Sequence, residues 1–114
     1  MGAVQAATPS HFQAVLSRAA DLLTQARSVE ELAWAISDNL AVWLSLSAAA
    51  ATPGCIPAEV AVSATTRARH IIETTLGSGR LAPPDQAIEE FIRLNHQMAN
   101  ALAASRRTHR PPPL

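Results

Sequence analysis

The placement of proline and glycine dictates the architecture. Pro9, the Pro53–Gly54 pair, Pro57, Gly77, Gly79 and the Pro83–Pro84 pair punctuate a chain that has no other helix breaker between residues 9 and 110. Proline removes a backbone donor and clashes with the preceding turn, and glycine costs backbone entropy, so helices run between such residues. Strand signals are weak: there is no Tyr, and the β-branched residues do not alternate with polar ones. No period of roughly 20–50 residues repeats, which excludes a solenoid. The chain reads as all-α, a small bundle of about four amphipathic helices with short connections.

The first helix is expected from Pro9 to Gln25, with Thr8 as N-cap and Pro9 at the first helical position, where a missing N–H costs nothing. Phe12, Leu16, Ala19, Leu23 and Ala26 recur at helical spacing and form one apolar stripe, flanked by Val15 and Leu22. The second helix starts at Ser28, which forms a capping box with Glu31. Its stripe is Leu32, Ile36, Leu40 and Trp43, and its end is expected near Leu46, before Ala48–Ala51 and the Pro53–Gly54 turn. A third helix runs from about Pro57 to Gly77, with Val60, Ala64, Ala68, Ile71 and Thr75 in its stripe and Ile72 beside it. Gly77 in a left-handed conformation would close it. The fourth begins near Pro84 and places Asp85 in the first turn, where the helix dipole favours negative charge. Ile88, Phe91, Ile92, Asn95, Met98, Ala99 and Leu102 make its stripe. Residues 1–104 form a single domain in this reading. Ser105–Leu114, with Arg106, Arg107, Arg110 and three prolines, is expected as a disordered basic tail.

A chain of 114 residues buries on the order of 65% of its unfolded surface, enough for one core. The 24 Ala residues let helices approach closely, which partly offsets a small number of large apolar side chains. Nine basic residues, all Arg, balance nine acidic ones, which argues against a dedicated nucleic-acid binder. The single Cys55 can form neither an internal disulfide nor a Cys-based zinc site. No apolar run approaches the ~18 residues of a membrane span. Met1–Ser10 lacks the basic and Leu-rich regions of a secretory signal. These features predict a small soluble cytoplasmic protein.

Chemically reactive groups are sparse. Of His11, His70, His96 and His109, only His70 has a carboxylate one turn away, Glu73, and a metal needs three or four converging ligands. Cys55 has no evident base to activate it. Gly77-Ser78-Gly79-Arg80 resembles a phosphate loop superficially, but the chain contains no Lys. Glu30–Glu31 and Glu89–Glu90 are sequence neighbours that diverge by about 100° on a helix. The expectation is therefore no metal, no cofactor and no enzyme; a small helical enzyme would rest on His70 and Glu73 alone.

Several polar and aromatic positions need explaining. Asn95 interrupts the fourth apolar stripe, and a buried amide must find partners or cost roughly 1–3 kcal/mol. Either it makes a structural contact to a neighbouring helix, or it fixes the register of a partner helix. Asp38 and Asn39 lie mid-helix although both favour caps. Asn39 falls beside the second stripe, placed to bond across the core toward Asn95, whereas Asp38 is about 100° away. Trp43 lies in the stripe and is expected in the core. Trp34 lies on the opposite side, with Ala41 and Leu44 sharing or flanking its face. Either the second helix is buried on both sides, or Trp34 is exposed for a partner. Trp34, Leu44 and Ile72 are the candidate partner-binding residues; Asp38, Asn39, Trp43 and Asn95 are the candidate structural ones.

Ser37-Asp38-Asn39-Leu40-Ala41-Val42-Trp43-Leu44 resembles the Asp-Asn-x-x-x-Trp helix of the FlaF family, flagellar biosynthesis regulators of alphaproteobacteria. Ile56-Pro57-Ala58-Glu59-Val60 is similar to that family's Leu-Pro-x-x-Leu helix start, and Glu73-Thr74-Thr75-Leu76-Gly77 to the loop after its hydrophobic helix. Ile88 to Met98 resembles its final Leu-Ile-x-x-Asn-x-x-Met helix, and Thr8-Pro9-Ser10 with Leu16 and Ala19-Ala20 its opening helix. The likeness covers residues 8–103 in order. The chain departs from that pattern in the Ala-rich loop Ser47–Cys55, in Ala61-Val62 where an Arg is expected, and in the Arg-Pro tail. The resemblance implies a non-enzymatic cytoplasmic protein that supports flagellin synthesis and export, binds flagellin as a chaperone, and works alongside or opposite FlbT-type regulators. The alternative is an RNA-linked post-transcriptional regulator of flagellin expression using the basic tail. Such binding would weaken steeply with salt, and the folded part offers no aromatic platform for bases.

Overall fold

The computed structural model describes residues 8–77 and 83–108. It contains α1 (Pro9–Gln25), α2 (Val29–Ala50), α3 (Ala58–Gly77) and α4 (Asp85–Thr108), and no strand among the described residues. The all-α fold expected from the breaker pattern is the fold observed.

Helix starts follow the capping chemistry. Thr8 Oγ1 accepts the His11 N–H at 3.1 Å, and Ser28 Oγ accepts the Glu31 N–H at 3.0 Å. The return half of the expected capping box is displaced by one residue: Glu31 Oε1 accepts the N–H of Arg27, not of Ser28, at 2.9 Å. Pro57 and Pro84 each supply the carbonyl that accepts the first N–H groups of α3 and α4.

Helix ends differ more from expectation. α2 does not stop near Leu46 but continues to Ala50, because Ser47 to Ala50 contains no breaker and Ala is the strongest helix former. It gives way to a turn in which the Cys55 N–H bonds the Thr52 carbonyl at 3.3 Å. Pro53 and Gly54 occupy the central positions, and Gly54 has φ +86°, the left-handed value a type II turn requires there. Gly77 does not adopt the left-handed conformation expected of it: it is the last residue of α3, and Gly54 alone among the described residues has positive φ. α4 passes the expected boundary after residue 104 and runs to Thr108, with Ser105 only 6% exposed. Residues 105–108 are thus helical rather than tail; Gly79 and residues 109–114 lie outside the described residues.

The helices pack in a ring. α1 packs most extensively on α4 and α2 on α3; α1 and α2 meet over a smaller area, and α3 and α4 over the least. The pairs α1/α3 and α2/α4 occupy the diagonals, with no Cα atoms within 8 Å of each other. Phe12, Leu16, Trp43, Leu46, Ile71, Phe91, Met98 and Leu102 fill the space between them. Most residues of the stripes expected for α1, α3 and α4 are buried, with Ala20 added on α1 and Leu94 on α4; Thr75 and Ile92 are only half-buried, as is Ala26, which caps α1 instead of lying within it. In α2 the buried face is rotated toward Asn39. Ala35, Asn39, Leu46 and Ala49 are buried, while Leu32 and Leu40 are only half-buried.

By length and composition α2 is apolar enough to cross a membrane, which corrects the expectation that no segment is. Ser37-Asp38-Asn39 breaks any uninterrupted apolar run, yet the surrounding Ala, Leu, Ile and Val keep the average high. Here that helix forms one wall of the bundle.

Candidate docking face of helix α2

Two opposite faces of α2 carry the residues singled out from the sequence. The inner face holds a polar cluster at the centre of the core. Trp43 Nε1–H donates to Asn95 Oδ1 at 2.7 Å. The Asn95 amide Nδ2 donates both to Asn39 Oδ1 at 2.7 Å and to the Leu16 backbone carbonyl at 3.2 Å. One α4 side chain therefore ties α1, α2 and α4 together and spans the α2/α4 diagonal. Asn39 and Asn95 are fully buried, and Asn39 Nδ2 has no hydrogen-bond partner. Asn95 thus makes contacts within the chain, the structural reading of the two open to it. Asp38, grouped with these residues on sequence grounds, is exposed and takes no part in the cluster, because its position on the helix points away from the core.

The outer face is where Trp34 emerges, 78% exposed, with Leu44 at 50%. Of the two readings of Trp34, exposure is the observed one. Ser37, Ala41 and Ala48 are exposed on the same side of the helix. Trp34, Ser37, Ala41, Leu44 and Ala48 recur at intervals of three and four residues, the spacing of a helix–helix seam. This second stripe was open to view in the sequence, but a search for one apolar stripe per helix passes over Ser37 and Ala48. Ile72, the third candidate, lies on α3 and is half-buried against the hydrophobic core, so it is not part of this seam. Val29, Val62 and Leu76 are further exposed apolar residues that the sequence reading did not single out.

Among the described residues no comparable convergence exists elsewhere. His70 turns to Glu90 of α4, at 2.6 Å, rather than to Glu73 of its own helix, and both partners are solvent-exposed. Arg93 reaches the other oxygen of Glu90 at 3.5 Å. Among the described residues no three His, Cys, Asp or Glu side chains are placed to hold a metal ion. Cys55 is a free, half-buried thiol in the loop between α2 and α3. The side chains of Arg106 and Arg107, and all of Arg110, lie outside the description. Comparison with protein-family models, with curated proteins and with solved structures finds no match.

Proposed function

We propose that this chain is a non-catalytic accessory protein of flagellar biosynthesis, acting in the cytoplasm, that holds an amphipathic helix of flagellin on the outer face of α2. The observation that carries this reading is Trp34, 78% exposed at the head of an uncharged run formed by Ser37, Ala41, Leu44 and Ala48, with the exposed carboxylates Glu30 and Asp38 one turn to either side of it. Large aromatic side chains left in water on such a face are the usual anchors of helix-in-groove and helix-on-helix recognition. Covering that fraction of a tryptophan contributes about 3–5 kcal/mol at ~25 cal/mol per Å², before ordering costs. The ordered resemblance to the FlaF family supplies the identity of the partner, and by the same resemblance a FlbT-type regulator is a second one. Shielding an amphipathic flagellin segment before assembly would keep it from associating early.

Titration calorimetry with the cognate flagellin tests this. Binding is expected with a Kd below ~100 µM, about −5.5 kcal/mol. Trp34→Ala should weaken it by about 30-fold or more, the loss of a hot-spot residue, and leave the thermal midpoint of the free protein unchanged. Absence of heat at ~100 µM removes the reading.

A further inference from the structure

Resting on the reading of the outer α2 face as a docking surface, we propose that in the absence of its partner this face is covered by the same face of a second copy of the chain. The two α2 helices run antiparallel about a two-fold axis at Ala41. The seam has the property such an axis demands. Trp34 lies seven residues before Ala41 and Ala48 seven after; Ser37 lies four before and Leu44 three after. Antiparallel pairing about Ala41 therefore sets Trp34 against Ala48 of the partner subunit, and Leu44 against Ser37 of the partner subunit. Each large side chain meets a small one, twice over by symmetry, and the alanine at the crossing point lets the two backbones approach closely. Parallel pairing would instead crowd Trp34 on its own copy and leave a gap at Ala48.

Charge makes the same choice. The acidic residues of α2, Glu30, Glu31 and Asp38, all lie in its first half, and Ala41 to Ala50 carries no charge. Antiparallel pairing lays the acidic half of one helix along the uncharged half of the other. A parallel pair would stack like charges, which is destabilising. The helix has no basic residue, so it lacks the cations with which surface helices engage anionic lipid or nucleic acid.

From Trp34 to Ala48 the seam is ~21 Å long on a helix ~10 Å wide. That places the pairing among small interfaces, below about 1,200 Å². The dimer is accordingly weak and reversible, with a Kd of about 10–100 µM. A flagellin helix and a second copy exclude one another, so partner binding converts the dimer into a one-to-one complex.

Sedimentation equilibrium of the full chain between ~5 and ~500 µM reads this directly. A monomer–dimer equilibrium is expected. Trp34→Ala should weaken it by about 30-fold or more, and Ala48→Trp should do the same by placing two large side chains in opposition. The double variant, Trp34→Ala with Ala48→Trp, exchanges large and small across the axis and should recover the dimer. A monomer at every concentration overturns the proposal, as does a dimer indifferent to both single changes, a double variant that stays monomeric, or sedimentation of the chain with anionic or neutral lipid vesicles in place of self-association. A monomer that still binds flagellin sinks the dimer and leaves the earlier reading standing; a dimer that binds no flagellin does the reverse.

Discussion

Asn95 uses both amide protons and its carbonyl oxygen, on Leu16, Asn39 and Trp43 respectively. Its replacement by Leu would leave the Trp43 N–H and the Asn39 carbonyl buried without partners, and each such group costs about 1–3 kcal/mol. Asn95→Leu is therefore expected to destabilise the fold by about 3–4 kcal/mol. Asn39 stands differently, since its Nδ2 already lacks a partner. Asn39→Ala removes that orphan but takes the acceptor from one Asn95 amide proton, so one unsatisfied donor replaces another, and a loss of about 1–2 kcal/mol, smaller than that of Asn95→Leu, is expected. Urea denaturation at unchanged m-value measures both. Equal losses would mean that Asn39 contributes as much as Asn95 and that the asymmetry is wrong. The meeting of Asn39 and Asn95 was legible in the sequence because both sit in or beside apolar stripes. The role of the Leu16 carbonyl was not: a mid-helix backbone acceptor looks like any other peptide group until a neighbouring helix brings a donor to it.

The two glycines at helix margins predict opposite signs. Gly54 sits at φ +86° with nothing within 4 Å of where a Cβ would be. Gly54→Ala thus meets no neighbour, and its cost is conformational alone, about 1 kcal/mol or more. Gly77 is helical, without positive φ, and equally open. Gly77→Ala is expected to leave the protein unchanged or to stabilise it by up to about 1 kcal/mol, through the better helix propensity of Ala and a less flexible unfolded chain. Thermal or urea midpoints of the two variants should move in opposite directions; destabilisation by Gly77→Ala would require a left-handed Gly77 in solution. This contrast marks what an element's sequence encodes. Helix starts were legible because Thr8 and Ser28 perform the capping with their own side chains. The ends of α2 and α4 were less so, because nothing in Ser47–Ala50 or Ser105–Thr108 forces a stop. The rotation of α2's buried face escaped for a related reason: Ala35 and Ala49 carry little hydrophobic signal, and Asn39 carries the opposite one.

The ring of helices is unevenly closed. α1 and α4 share the most extensive contact, whereas α3 leans on α2 and touches α4 least. Two of the four buried residues on α3 are alanines, Ala64 and Ala68, beside Val60 and Ile71. Little apolar area holds that helix in place, and near its end the buried Thr75 hydroxyl has no partner. The surface pair His70–Glu90 joins α3 to α4, but with side chains 51% and 36% exposed it is too well solvated to compensate. α3 should therefore open locally at a lower free energy than the rest of the bundle. Native-state hydrogen exchange is expected to show α3 amides exchanging well before those in the middle of α1 and α4, which should exchange only on global unfolding. Glu90→Gln should shift stability by no more than about 0.5 kcal/mol and leave that order intact. If α3 proved as protected as α1, or if Glu90→Gln released it, the sparse α3/α4 contact would not be the weak edge of the fold. Because α2 holds α3 on one side and presents the seam on the other, covering the seam should slow exchange first in α2 and then, through the shared contact, in α3.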